Sequence, residues 1–453
     1  MPLEGGPRHL SALTGLRGLA ALSVVQLHVA ARTEYEWFGV HAFGPIALFV
    51  LSGFLLYRPF ARWLLGRGTQ PELWSYSVRR GARIFPAFWV VLLVWMLLHE
   101  PAVPTGAADW IKTLTLVSSL EFFGLTPGLE QTWSMGTELT WYVAVPVIAL
   151  LIHALVGERG GRTSFRVQAL LLVSSLPIAH LFRAYAREQE WQDAPMWLPS
   201  YLYCFCLGAL VGLALEAERE GIITLTRTRR VLGMPGLLLT ATVLMLVLTC
   251  SPLAGPPGLV TLTFQEQVLR NLFACGLALV LLAAGLFSPP GALLMRLLST
   301  RWMQATGRWS YGIYLWHVPL IVLLWQEVTF PSGVLGLVTW LVVVGSVSCA
   351  LGAATWVWVE KPAIAWSHSQ SLPTPAPEAV VASDVPVTAP ATASESPAEA
   401  LVEAPAEAMA AAPAGPVDAA SLDPVPRDPA PSDAEPVEVV PAPAARIGKH
   451  RAH

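Results

Sequence analysis

The sequence predicts an all-α polytopic membrane protein of about ten transmembrane helices, with both termini cytoplasmic and a disordered C-terminal tail. Three observations predict it. The 453 residues are 54% hydrophobic and only 13% charged, about half the charged share of an average soluble domain. The apolar residues gather in runs that approach the roughly 20 residues needed to cross a hydrocarbon layer. Lys and Arg concentrate in alternate connections between those runs, as the positive-inside rule requires.

The runs fall at 11–31, 42–64, 84–99, 138–156, 167–183, 199–215, 231–250, 269–287, 308–328 and 334–358. With a cytoplasmic N-terminus, 19 Lys/Arg fall on the inner side, among them Arg8, Arg17, the Arg79–Arg83 group, the Arg227–Arg230 group and Lys361. Five fall outside: Arg32, Lys112, Arg183, Arg187 and Arg270. The stretch "WIKTLTLVSSLEFF" at 110–123 is too short and polar for another span and is expected to lie along the outer surface or to re-enter. The first run follows Arg8 and Arg17 and ends near "HVAA", which invites comparison with a signal peptide. His28 interrupts the run and everything after it is also membranous, so it is read as a retained span.

The membrane region is expected over 1–365 and a Pro/Ala/Glu-rich tail over 366–453. From Ser371 onward there are 12 Asp/Glu against 4 Lys/Arg, 16 of the 38 prolines and no aromatic residue. Such a segment cannot bury enough apolar surface to offset the entropy of ordering. The preceding 370 residues hold 24 Lys/Arg and 19 Asp/Glu. The five cysteines lie in or beside apolar runs without a C-x-x-C spacing, which gives neither a disulfide framework nor a zinc site.

Ionisable groups inside a membrane are costly and usually face a cavity or a partner, so they mark where to look. In "LTGLRGLAALSVVQLHVA", Arg17 and His28 are eleven residues apart. That spacing puts them about 20° apart around a helix and about 16 Å apart along it. In "SYSVRRGARIFPAFW", Arg79, Arg80 and Arg83 project together from the start of the third run, and guanidinium forks suit phosphate. Glu138 stands at the outer mouth of the fourth run with Tyr142 one turn on. In "GRWSYGIYLWHVP", Ser310, Tyr314 and His317 share one helical face. Each group also has a bland explanation: a snorkelling Arg with a structural His, ordinary inner-side basicity, a carboxylate favoured by the helix dipole, a hydrogen-bonded core His. Glu360 and Pro362 in "WVWVEKP" close the last run, where capping or pairing with a loop Arg accounts for the acid.

Taken together, these pieces resemble the acyltransferase-3 family of integral-membrane O-acyltransferases. "GLRGLAALSVVQLH" resembles its Arg-x10-His signature, and "ALFVLSGFLL", "RRGARIFPAFW", "TWSMGTELTWYVAVP", "SYGIYLWHVP" and "VEKP" resemble its later motifs in order, over about residues 8–365. The resemblance implies a ten-span fold with both termini cytoplasmic and O-acylation of surface polysaccharides, lipopolysaccharide, nodulation factors, peptidoglycan or macrolides. It implies that Arg17 and His28 are functional, that Arg80 and Arg83 match the family's Arg-x-x-Arg, and that Glu138 belongs to the site. Two departures stand out. The aromatic pair after Glu138 is Trp141-Tyr142 rather than Phe-Tyr, and the tail holds no Gly-Asp-Ser block of the esterase-like domain that many members carry, so a stand-alone member is expected.

The expected activity is therefore transfer of an acyl group, most simply acetyl, from cytoplasmic acyl-CoA to a sugar hydroxyl of a cell-envelope glycan, glycolipid or secreted glycoside. His28 would act as base or as acyl carrier, a task suited to a side chain that titrates near neutrality. Arg79, Arg80 and Arg83 would bind donor phosphates, and Arg17 would hold the pantetheine end or polarise the thioester. Glu138, where the acceptor would enter, would join His28 and Arg17 as a catalytic residue, and Tyr142, Ser310, Tyr314 and His317 would bind the acceptor. No resident cofactor, metal or nucleic acid is expected; the partners are acyl-CoA, the glycan acceptor and membrane lipid. The competing reading is a transporter or flippase of a lipid-linked or sugar substrate. It is disfavoured by the lack of paired repeat halves with interrupted helices.

Overall fold

The computed structural model describes residues 7–157, 159–258, 260–328 and 331–370. The tail from 371 lies outside these residues, and so does the expectation that it is disordered. Among the described residues all regular structure is helical: α1 (Pro7–Ala30), α2 (Phe43–Leu64), α3 (Leu73–Leu98), the short α4 (Ala107–Leu114), α5 (Trp133–Val156), α6 (Gly161–Glu188), α7 (Leu198–Arg219), α8 (Thr226–Leu232), α9 (Pro235–Thr249), α10 (Phe264–Phe287), α11 (Leu293–Leu298), α12 (Arg301–Glu327), α13 (Gly333–Thr355) and α14 (Lys361–Ser369).

Eight of these stretches are long and apolar enough to cross a membrane, and α8 with α9, bent by 68° at their junction, makes a ninth. The ten runs read from the sequence include α12, which has the length, 27 residues, but not the apolarity. Its Arg301, Arg308, Ser310, Tyr314 and His317 are the cause. Segment 110–123 forms α4 and short 3-10 turns rather than a span. The broader differences are at helix starts. Helix α3 begins eleven residues before the expected 84, so the arginine group sits inside it. Helix α5 begins at Trp133, which places Glu138 in its second turn and not at its mouth. In both cases polar residues lower the hydropathy without breaking the helix.

Lipid is as apolar as a leucine side chain, so helix association in a bilayer depends on close packing and interhelical hydrogen bonds. Small residues provide the packing here. Helix α1 runs along α12, where a Cβ added to Gly18 would lie 2.8 Å from Gly307 N and one added to Gly307 would collide with Thr14 O. Helix α12 meets α13 in the same way: a Cβ on Gly312 would come within 2.7 Å of Gly352 Cα. These contacts draw α12 between α1 and α13.

Proline shapes the same helix. Pro319 lies inside α12 and has no N–H for the carbonyl of Leu315. The Gln131 side chain takes that carbonyl, with Nε2 donating to Leu315 O at 3.0 Å. Gln131 O in turn accepts from the Tyr314 hydroxyl. The segment just before α5 is thereby pinned to α12 on either side of one turn. A second polar lock joins α2 to α7: Glu216, 2% exposed, takes Arg58 Nε at 2.7 Å, with Arg62 and Arg219 at 3.8 and 4.0 Å.

Candidate active site

Helices α1, α2, α3, α5 and α12 converge on a cavity of about 50 Å³ lined by Arg17, Ser52, Arg83, Glu138, Tyr142, Ser310 and Tyr314, among others. That is room for a few water molecules. Polar groups from five helices thus meet inside a membrane protein. Glu138 Oε1 accepts from the Ser52 hydroxyl of α2 and from the Tyr142 hydroxyl at 2.9 Å. The Tyr142–Glu138 contact is the i, i+4 pair that the spacing predicts. Ser310 Oγ is buried with no hydrogen-bond partner, a cost that a ligand group in the cavity would remove. Tyr314 closes the wall, its hydroxyl 2.8 Å from Ser134 Oγ.

One turn beyond Tyr314 the second polar group begins. His317 is fully buried, with Nδ1 2.7 Å from Tyr314 O and Nε2 3.3 Å from His28 Nδ1. His28 Nδ1 is also 2.9 Å from Val24 O. The tautomers follow from these partners. A carbonyl only accepts, so His317 carries its proton on Nδ1 and offers Nε2 as an acceptor. His28 Nδ1 must then be the N–H shared between Val24 O and His317 Nε2. The remaining nitrogen, His28 Nε2, keeps its lone pair.

The expected site residues therefore assemble in two adjoining groups. Arg17, Glu138, Tyr142, Ser310 and Tyr314 surround the cavity, while His28 and His317 pair beside it, linked through the Tyr314–His317 turn. Arg17 and His28 both face α12 but at different heights. The arginines of α3 have different immediate neighbours. Arg83 reaches the cavity, Arg80 lies over the Tyr76 ring at 5.8 Å, and Arg79 donates from Nη1 to Ser75 Oγ.

Four further residues complete the surroundings. Ser52 and Gln131 lie in stretches whose pattern carries no sign of their tertiary partners. Tyr311 lines the cavity and donates to Ile84 O at 2.8 Å, tying α12 to α3. Glu360 is 1% exposed, and neither carboxylate oxygen makes a regular hydrogen bond. It faces Arg17 and Arg83 electrostatically, not a loop arginine, and does not cap a helix end. Among the described residues no group of His, Cys, Asp and Glu is arranged to hold a metal ion.

The sequence model of a family described as an acyltransferase domain matches residues 10–359. Curated relatives include a protein named putative peptidoglycan O-acetyltransferase YrhL of Bacillus subtilis, 24% identical over 78% of this chain and 55% of that protein. The peptidoglycan O-acetyltransferase OatA of Listeria monocytogenes is 24% identical over 72% of this chain and 52% of its own length. The O-acetyltransferase OatA of Staphylococcus aureus is 23% identical over 70% and 51%. The chain thus spans about half the length of the curated relatives it matches. No solved structure matches it significantly. The matched region runs from α1 into the turn before Glu360 and takes in every residue lining the cavity together with His28 and His317, and the chain belongs to the acyltransferase-3 family of integral-membrane acyltransferases.

Proposed function

We propose that the protein is a membrane O-acetyltransferase that moves an acetyl group from cytoplasmic acetyl-CoA to a sugar hydroxyl of a cell-envelope glycan, with His28 as the base. Peptidoglycan is the first acceptor to test, because two of the relatives carry it in their names. The observation that carries the reading is the fixed imidazole of His28. Val24 O and His317 Nε2 hold its Nδ1–H, which leaves Nε2 as a neutral base inside the helix bundle.

The chemistry balances as follows. His28 Nε2 takes the proton of the acceptor hydroxyl as its oxygen attacks the thioester carbonyl. The imidazolium is stabilised because its Nδ1–H already points at a carbonyl and a lone pair. Collapse of the tetrahedral species breaks the C–S bond, and the proton passes from His28 to the leaving thiolate. An acyl-His28 intermediate is the alternative path, since the same lone pair is a nucleophile.

Arg17 lies about 16 Å from His28 along α1, too far to share one carbonyl with it. The separation supports a role for Arg17 and Arg83 on the body of the donor, with the acyl end near His28. The cavity is too small for a pantetheine arm, so donor entry requires α3 or α5 to move aside. The basic ends of α3 and α12 point to the cytoplasmic side in this scheme, with both termini and the tail inside. The test is His28→Ala in the full chain, reconstituted with labelled acetyl-CoA and glycan. Loss of transfer from an inserted protein is expected; retained transfer would remove His28 from the mechanism.

A further inference from the structure

The last span does not end as an ordinary α-helix. Helix α13 passes at Thr355 into a π turn, Trp356–Glu360, before α14 resumes at Lys361. The bond that defines it runs from Lys361 N to Trp356 O, five residues back. Pro362 explains why the wider turn is tolerated: it has no N–H to return to Trp358 O, so the ordinary ladder is already broken there. A π turn advances the chain by one extra residue and re-aims the side chains after it. Such turns are rare and concentrate at functional sites.

The residue re-aimed inward is Glu360. The turn packs against α3 and α12, and its carboxylate is buried with both oxygens lacking a regular hydrogen bond. An isolated carboxylate in such a place would be severely destabilising. Two guanidiniums act on it, those of Arg17 and Arg83. Both of these line the cavity, whereas Glu360 does not. The charges are therefore layered. Glu138, Arg17 and Arg83 face the cavity, and Glu360, on a turn packed against α3 and α12, lies outside the lining.

We infer that Glu360 is a positioning residue: from the π turn it holds the guanidiniums of Arg17 and Arg83 turned into the cavity, where they meet the anionic donor. This rests on the donor role proposed for those arginines. Two guanidiniums lining one low-dielectric cavity repel one another. Glu138 lines the same cavity but is already bonded by the Ser52 and Tyr142 hydroxyls. Glu360 adds a second counter-charge from outside the lining, without occupying the space the donor needs.

The test is coenzyme A binding to the purified full chain by isothermal titration, which does not depend on turnover. Glu360→Gln is expected to weaken binding at least tenfold, and Glu360→Asp, which keeps the charge, to stay within threefold of wild type. The Arg83→Gln/Glu360→Gln pair is expected to lose less than the product of the two single losses, since part of the Glu360 effect passes through Arg83. The pair restores charge balance and carries the comparison should Glu360→Gln alone fail to insert. Unchanged binding in Glu360→Gln, or losses that multiply in the pair, would overturn the inference while leaving the donor site standing. Absence of coenzyme A binding by the wild-type chain would overturn both. A purely structural Glu360 would lower the melting temperature in detergent and leave the dissociation constant of the folded fraction unchanged.

Discussion

His317 Nε2 lies 3.3 Å from His28 Nδ1, joining α12 to α1 across the helix contact made by Gly18 and Gly307. His317 is itself fixed by Tyr314 O at 2.7 Å. Val24 O and His317 Nε2 together hold the His28 Nδ1–H and leave Nε2 as the basic nitrogen. Removing His317 leaves Val24 O to hold that N–H by itself and loosens the ring. His317→Ala is expected to lower kcat about a hundredfold, within the range that general-base work contributes, with little change in acceptor KM. His317→Gln retains a carbonyl acceptor for Nδ1–H and should recover part of the loss. Steady-state acetyl transfer by the purified variants decides it; equal kcat in wild type and His317→Ala would show that the pair has no catalytic part.

The three arginines of α3 should separate cleanly. Arg83 faces the cavity, whereas Arg79 bonds Ser75 and Arg80 lies over Tyr76. Arg83→Ala removes a charge-assisted partner for a phosphate or carbonyl, worth about 1.5–3 kcal/mol or roughly tenfold to a hundredfold in affinity. Arg79→Ala is expected to weaken coenzyme A binding by less than about threefold. Comparable losses for the two would mean that the donor approaches along the basic end of α3 rather than through the cavity.

Much of this was legible in the sequence, and the reasons differ by residue. Arg17 and His28 stand out because each interrupts an apolar run, and helical spacing puts both on one face of α1, the face that meets α12 in the structure. Tyr142 and Glu138 bond as their i, i+4 spacing predicts. The different surroundings of the three arginines were not legible, because spacing gives a direction but not the neighbours that meet a side chain; Ser75 and Tyr76, one turn earlier, meet Arg79 and Arg80. Glu360 stood out in the sequence, but its burial without a hydrogen bond, rather than capping or pairing with a loop arginine, depends on tertiary packing that spacing does not reveal. Ser52 and Gln131 are silent in sequence because their partners, Glu138 and Leu315, lie 86 and 184 residues away. Helix α12 resembles a span in length but not in hydropathy, because its polar residues line the cavity and carry His317.

The close approach of α1 and α12 is a condition for the histidine pair. A side chain at 307 would drive into Thr14 O, which is backbone and cannot swing away. Gly307→Val is expected to cost about 1–3 kcal/mol through overpacking and to part His28 from His317. Thermal unfolding in detergent and acetyl transfer should fall together, with Gly307→Ala intermediate in both. A variant that melts earlier but transfers acetyl normally would uncouple the helix contact from the chemistry.

The Glu216 cluster tests a different proposition, that the α2–α7 pair is held by charge as well as by packing. Glu216 is 2% exposed, bonded by Arg58 Nε at 2.7 Å and approached by Arg62 and Arg219. None of the four lines the cavity. Removing one partner from a buried ionic group leaves the other charges uncompensated, which costs about 3–5 kcal/mol. Glu216→Ala should therefore lower the melting temperature strongly, since it removes the acceptor that Arg58, Arg62 and Arg219 share. Arg58→Ala should cost less, because Arg62 and Arg219 remain to partner the carboxylate. The fraction that stays folded is expected to keep the wild-type KM for acetyl-CoA and for the acceptor. A changed donor KM in folded Glu216→Ala would show that this cluster, and not only Arg17 and Arg83, contributes to holding the donor.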